Sequence, residues 1–533
     1  VQLIDDIILD RAADVSRAHG AVRIAIVDGE RFVDWKDLAE STRRAALVLL
    51  RAGVRRGDRV AVVAPNAIES IVAYLAVLRA GAVLVPIPGD VRMPRLGAVL
   101  ADCTPSVVVA PRATLAALEA ARLDGAQVVE SSAGSWQGLT LDERFGRPFG
   151  VAPEFGRLGS TPSVVARDAG AIDADIAAII YTSGTTGEPK GVMLTHANLL
   201  NTTAVIAEYV GHAQASAPEV VSCAVPIAFS YGLLQSFAAL RSGATLVLER
   251  SFAFPYDAMR RLEQLRATVL VAVPTMITRM NATLARVDVD LSALRAVTNA
   301  AAGLPPAHAL RLTELLPEVR LHLMYGQTEC SRASTLEPRL ARAYPDSVGR
   351  AIPNSEVFLV DSNGHRLPPG SEGELVVRGA NVARGYWRRT RESIERFMCS
   401  PSDHASGFER CLRTGDRFRM DQSGLLYFLG REDEIFKCRG EKVAPAAIER
   451  VLAEIAGVVD AAVTGVEHEE DGTAIKAVVV VEEGASIDER AIRASCREAL
   501  EPGLQPRFIE FRREIPRTSN GKVVRRALVG SGG

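Results

Sequence analysis

The chain has 533 residues, 48% of them hydrophobic and 24% charged. That is enough apolar material for several globular units, and it excludes a disordered or collagen-like chain. Sixty-two basic residues against 64 acidic ones leave a formal net charge of −2, so no global electrostatic pull draws the chain to nucleic acid or an anionic membrane.

The first residues, Val1 to Asp6, lack the basic flank and apolar run of a secretion signal, and the expected location is cytoplasmic. Residues 34–53 carry apolar positions at helical spacing and end in Gly53, which predicts a glycine-capped helix. Gly57 to Pro65 reads as a turn into a buried strand. A helix over Ile68–Arg79 and a second buried run, Ala82 to Pro86, follow. The apolar stretch Ser70 to Pro88 is broken by Arg79 and Gly81 and ends in prolines, so it does not read as a membrane span. Strands alternating with helices predict parallel α/β layers. Residues 131–170, rich in Gly, Ser and Pro, read as a long surface connection. The α/β grammar returns at Thr245 to Leu248, 257–266 and Val269 to Val273. From Ser355 the pattern turns to strand–turn–strand, which predicts a β-rich subdomain. After Gly430 a helix, two strands and a helix suggest a separate α+β unit of about 100 residues.

Seven scattered cysteines without a CxxC pair predict reduced thiols. The His residues do not cluster, and no HExxH occurs, so no zinc site is expected. Six of the basic residues are Lys, at 36, 190, 437, 442, 476 and 522, and the others are all Arg. The few ammonium groups are therefore informative by their placement.

The sharpest feature is an apolar strand, Ile176 to Tyr181, running into Thr182, Ser183, Gly184, Thr185, Thr186, Gly187, Glu188, Pro189 and Lys190. Glycines let backbone N–H groups turn toward an anion, hydroxyls add donors, and Lys adds a mobile charge. The spacing is not that of a Walker A loop, because five residues after Gly184 stands Pro189. Thr195 stands as the N-cap of a helix over 196–208.

This loop resembles the signature loop of the adenylate-forming superfamily: acyl- and aryl-CoA synthetases, stand-alone and modular peptide-synthetase adenylation domains, and luciferases. Four further segments match in order. They are Tyr325-Gly326-Gln327-Thr328-Glu329; Arg413-Thr414-Gly415-Asp416; Gly430 to Glu434 with Lys437 and Gly440; and Pro516 to Lys522. In appearance the chain is closest to stand-alone acyl ligases. The resemblance implies an α/β plus α+β fold. A large, multi-layered N-terminal α/β domain with its β-rich subdomain would span 1–430, and a small mobile C-terminal α+β domain 431–533.

The resemblance also implies ATP, Mg²⁺ and a two-step reaction. A carboxylate attacks the α-phosphorus of ATP and pyrophosphate leaves; a thiol then displaces AMP. Thr182 to Lys190 would hold the outer phosphates, with Thr185 near the metal. Thr328 would bond the α-phosphate and Glu329 would hold Mg²⁺. Tyr325 would stack on adenine; Asp416, assisted by Arg431, would accept the ribose hydroxyls. Lys522 would bridge the acid and the α-phosphate. Asp433 would be the hinge between two domain orientations, and Lys437 and Gly440 would line the thiol tunnel.

For the acid, Phe229 and Ser230 stand where amino-acid-activating relatives often carry Phe-Asp. A neutral Ser offers no salt bridge to a substrate ammonium, which favours an acyl or aryl acid. Asn299, Ala300, Ala301, Ala302 and Gly303 resemble the small-residue wall of the pocket. Phe229 also replaces the His common in CoA ligases, so the acceptor stays open between CoA and the phosphopantetheine of a separate carrier protein. Two other readings remain, an amino-acid-activating enzyme and a luciferase-type oxidoreductase.

Overall fold

The computed structural model describes residues 3–18, 23–111, 114, 127–132, 135–140, 170–183, 189–212, 218–397, 410–438, 441–468, 472–482, 484–485, 487–518 and 522–529. The chain opens with α1 (Ile4–Ala18), β1 (Ile24–Asp28), β2 (Arg31–Asp34) and α2 (Trp35–Arg51). Then β3 (Arg59–Ala64), α3 (Ile68–Arg79), β4 (Val83–Pro88), α4 (Met93–Cys103) and β5 (Val107–Ala110) alternate, followed by β6 (Gln127–Ser132) and β7 (Ser135–Thr140). A hairpin, β8 (Ile176–Ser183) and β9 (Pro189–Thr195), leads to α5 (His196–Val210), β10 (Val220–Cys223), α6 (Ser230–Arg241), β11 (Thr245–Leu248) and α7 (Pro255–Gln264). Next come β12 (Val269–Ala272), α8 (Pro274–Leu284), β13 (Ala296–Asn299), α9 (Pro306–Leu315), β14 (Arg320–Tyr325), β15 (Ser334–Thr335) and β16 (Arg350–Ala351). The β-rich part holds β17 (Ser355–Val360), β18 (Arg366–Leu367), β19 (Glu372–Gly379), β20 (Gly385–Tyr386), α10 (Thr390–Phe397), β21 (Cys411–Met420) and β22 (Leu426–Arg431). The last unit contains β23 (Phe436–Cys438), β24 (Glu441–Val443), α11 (Pro445–Ala453), β25 (Val458–His468), β26 (Gly472–Val481), α12 (Glu489–Ala499) and β27 (Phe508–Phe511).

Two large mixed sheets form the body. One has the order β20-β9-β8-β4-β3-β5-β6-β7, the other β16-β15-β14-β13-β12-β10-β11-β1-β2. Helix α3 shows why they pack as they do. Every residue from Ser70 to Leu78 is buried, and a helix apolar all round needs cover on all sides. It belongs to a single core with Val60, Val62 and Leu84 of one sheet, Val221, Val269 and Val271 of the other, and Leu233 and Phe237 of α6. Each buried Leu or Ile contributes about 2 kcal/mol. The third sheet, β18-β17-β19-β21-β22, is antiparallel throughout. The small C-terminal sheet is β25-β26-β27. No helix among the described residues is long and apolar enough to cross a membrane.

The expected helix over Ile68–Arg79 is observed with those bounds. Thr195 caps α5 through a capping box, its side chain accepting from Asn198 N–H while Asn198 bonds the Thr195 N–H; such a cap contributes about 1 kcal/mol. Two expectations need correction. Ser135–Thr140, read as part of a patternless connection, is a strand that pairs antiparallel with β6. Its Ser and Gly lack the apolar alternation that betrays a half-buried strand, yet the ladder with β6 pairs one edge of its backbone. Residues 141–169 of that connection lie outside the described residues. The thiols are not all reduced: Cys103, Cys223, Cys330, Cys438 and Cys496 are free, whereas Cys411 is disulfide-bonded.

Candidate active site

Three elements deliver one polar corner. β14 ends at Tyr325, while β21 and β22 pair in a register that sets Asp416 opposite Arg431. The Tyr325 hydroxyl donates to Asp416 Oδ2 at 2.7 Å, and Gln327 Nε2 donates to the same oxygen at 2.8 Å and to the Thr414 carbonyl at 2.9 Å. Phe418 meets the Tyr325 ring edge-on at 4.7 Å and Phe428 stacks at 6.5 Å, so the ring's direction is set by packing. Asp416 is 4% exposed, and its other oxygen, Oδ1, is buried with no hydrogen-bond partner among the described residues. Arg431 Nε lies 3.8 Å from that oxygen and donates to Asp433 Oδ1 at 2.9 Å. Burial raises the Asp416 pKa above the usual carboxylate range, and the Arg431 charge works against that rise. A buried acceptor left open beside two bonded donors fits a ligand that brings hydroxyl groups, as a ribose does.

The next residues turn toward a second cluster. Thr328 Oγ1 lies 3.2 Å from Ser230 Oγ in the first turn of α6. Glu329 Oε1 accepts from the Tyr386 hydroxyl at 2.9 Å. That leaves most of a carboxylate's acceptor capacity for a hard cation, so the donor set fits Mg²⁺. Gly326 makes the turn possible, since a Cβ there would sit 2.4 Å from the Ser331 carbonyl oxygen. Lys190, at the stem of the β8–β9 hairpin, pairs with Glu392 of α10 at 2.6 Å and lies 5.7 Å above the Tyr386 ring. Thr182 pairs with Lys190 across that stem. Gly184, Thr185, Thr186 and Gly187, expected to cradle phosphates, lie outside the described residues, and so does Gly440.

The segment expected to wall the acid begins at the end of a strand. Asn299 ends β13, is 2% exposed and has its Oδ1 buried without a partner among the described residues. Ala300, Ala301 and Ala302 are half-buried, and Ala301 holds a left-handed backbone, φ 73°, a strained conformation for a residue with a Cβ. Phe229 is the N-cap of α6 and is half-buried beside Ser230. The C-terminal residues stand apart. Lys522 is exposed; its backbone pairs with Thr518 within its own loop, and among the described residues no hydrogen bond or ion pair ties its Nζ to the corner at Asp416. Lys437 is exposed on the β23–β24 hairpin, opposite Lys442.

Sequence reasoning passed over three contributors. Gln327 had no assigned role, yet it anchors Asp416. Tyr386 and Glu392 hold Glu329 and Lys190 across 57 and roughly 200 residues of chain, and only folding reveals such pairs. A cavity of about 650 Å³ also opens beside Tyr386, edged by Trp387, Arg59, Arg384, Arg388 and Arg410; Thr328 and Asp416 are not among its lining residues.

Residues 12–387 match the model of the AMP-binding enzyme family, and residues 447–522 match that of the AMP-binding enzyme C-terminal domain. The chain is 30% identical to indoleacetate–CoA ligase of Aromatoleum aromaticum over 97% of this chain and 95% of that protein. It is 31% identical to bacitracin synthase 3 of Bacillus licheniformis over 95% of this chain, which spans only 7% of that synthase. Its fold is similar to ATP-bound MatB of Rhodopseudomonas palustris, with a TM-score of 0.80 and 28% identity over 99% and 98% of the two chains. With both family models matched and the five sequence motifs in order, this chain belongs to the AMP-binding enzymes and is an AMP-forming ligase that activates a carboxylic acid before thioester formation.

Proposed function

We propose that the chain adenylates an acyl or aryl acid lacking an α-ammonium group and passes it to a thiol carried by CoA or by a separate carrier protein. The observation that carries this reading is the open Oδ1 of Asp416, held by Tyr325, which precedes Thr328 and Glu329 by three and four residues. Asp416 accepts the ribose hydroxyls, and the adenine packs beside Tyr325. Thr328 donates to the α-phosphate. Lys190, Thr182 and the loop from Ser183 to Gly187 hold the outer phosphates. Mg²⁺, held by Glu329 with Thr185 near it, would supply charge neutralisation at the phosphates.

A carboxylate oxygen bonds to the α-phosphorus as the bond to the β-phosphate oxygen breaks. Two anions meet in this step, so cations aimed at the phosphoryl oxygens lower the barrier. Lys522 provides one of them when its domain turns about Asp433. In the second step the sulfur bonds to the acyl carbon, AMP leaves, and the thiol proton goes to solvent. Lys437 and Gly440 line the thiol's route in that orientation. The domain division falls at 430/431.

Acid-dependent ATP–pyrophosphate exchange over a panel of acids tests the reading, followed by trapping with CoA against a phosphopantetheinylated carrier protein. Exchange above the no-acid baseline with acids lacking an ammonium group is expected. Exchange with amino acids alone would overturn the argument from Ser230, and O₂ uptake with the acid would point to the luciferase-type alternative.

A further inference from the structure

Arg332 follows Glu329 by three residues and is buried, 4% exposed. Its main chain is clamped: Asn381 Nδ2 donates to the Arg332 carbonyl at 2.6 Å and to the Cys330 carbonyl at 3.2 Å, and Ser331 before it takes a left-handed backbone, φ 55°. The side chain is treated differently. Among the described residues its buried Nη1 has no hydrogen-bond partner, and no carboxylate pairs with the guanidinium. Burial lowers its pKa to about 10, and the group acting against that fall is the Tyr231 phenol.

The surroundings place this charge on the acid's side of the site. Tyr231 follows Ser230, which faces Thr328. The Tyr231 hydroxyl lies 2.8 Å from Thr298 Oγ1 on β13, next to Asn299 of the pocket wall. The Arg332 charge is close enough to bear on both Tyr231 and His322 of β14. Both ring nitrogens of His322 are buried without partners among the described residues. The other charged groups acting on His322 are Arg320, Arg295 and His212, all cationic when protonated. Arg295 pairs with the buried Glu219, which also acts on Arg320, whereas Arg332 has no carboxylate partner among the described residues. Buried charges are stable when paired, and removing one partner of such a pair is strongly unfavourable. A guanidinium matches a carboxylate in two parallel hydrogen bonds.

We propose that Arg332 is a specificity-determining residue that binds a second carboxylate on the acid, so that this enzyme activates dicarboxylic acids. One carboxyl lies at Thr328 and reacts; the other meets Arg332, with the Tyr231 and Thr298 hydroxyls beside it. The inference rests on the acid-activating reading above and narrows its substrate class.

The test measures kcat/KM for exchange with matched pairs on the full chain: aliphatic and aromatic dicarboxylic acids, each against its monomethyl ester and against the monocarboxylic acid of equal length. The wild-type chain is expected to prefer the diacid by ~100-fold or more, since a site built around a polar partner rejects the analogue lacking it. Arg332→Leu should bring that ratio near one, raise activity toward monoacids, and leave KM for ATP within about twofold. Arg332→Lys should retain part of the preference, and it decides the matter alongside the wild-type ratio should the Leu variant fold poorly. Equal or better use of monoacids by the wild type, or an unchanged ratio in Arg332→Leu, overturns the proposal while acid activation stands. Exchange with no acid of either kind overturns the underlying reading instead.

Discussion

The Asp416 corner and the segment around Lys522 differ in how much of their chemistry is assembled. At Asp416 two donors are already in place at 2.7 and 2.8 Å, and packed rings fix the Tyr325 direction. At Lys522 the ammonium stands exposed, and what is fixed nearby is its backbone, bonded to Thr518, and the Arg517–Asp460 ion pair at 2.7 Å. The proposed roles account for the difference. A group needed in both half-reactions can be fixed where it acts, whereas a group needed in one must be able to leave.

Asp416→Ala should strike hardest, lowering kcat/KM for ATP by about 10³-fold and slowing thioester formation from preformed acyl-adenylate as well. Lys522→Ala should lower exchange by about 10²–10³-fold, as loss of a transition-state donor does. Its thioester step from preformed adenylate should stay within about twofold of wild type. If both variants lose the two half-reactions equally, the contrast between fixed corner and departing arm collapses. Gln327→Leu should cost about tenfold in kcat/KM for ATP, the worth of one hydrogen bond to a charged group.

The acid limb of kcat/KM for ATP sharpens the same contrast. Burial raises the Asp416 pKa and Arg431 opposes the rise, so activity should fall as pH drops through a value above the usual carboxylate range. Arg431→Gln removes the opposing charge and should move that limb to higher pH. A limb that stays in place would detach Arg431 from Asp416. The smallest effect expected is that of Lys36→Arg, which should leave both half-reactions unchanged within about twofold, because this exposed lysine touches neither region. Lys476 is 8% exposed and pairs with Glu510 at 2.7 Å, so its replacement is read as a stability change.

Local features were legible before folding. The buried strand before Thr182, the N-cap at Thr195 and the all-apolar α3 each announce themselves within a few residues. The site motifs were legible as types, because Asp416, Thr328 and Glu329 sit in short runs. Their partners were not. Tyr386 reaches Glu329 from a two-residue strand, and Gln327 reaches Asp416 across the β14–β21 gap; no periodicity encodes either contact. Arg332 is the extreme case. One more arginine in an arginine-rich chain carries no signal until its burial and missing partner are seen.

Helix α3 has a consequence for how this chain can be cut. The strands cross between the two large sheets: β1 and β2 join the sheet built by β10 to β16, β3 to β9 build the other, and β20 returns to close that sheet's edge against β9. With α3 sheathed by both, neither sheet can be expressed alone without exposing the apolar faces of Ile71, Leu75 and Leu78. Truncation anywhere between residues 24 and 386 should therefore yield aggregation rather than a smaller soluble domain. Folding of this body should be slow, because its defining pairings join segments far apart in the chain.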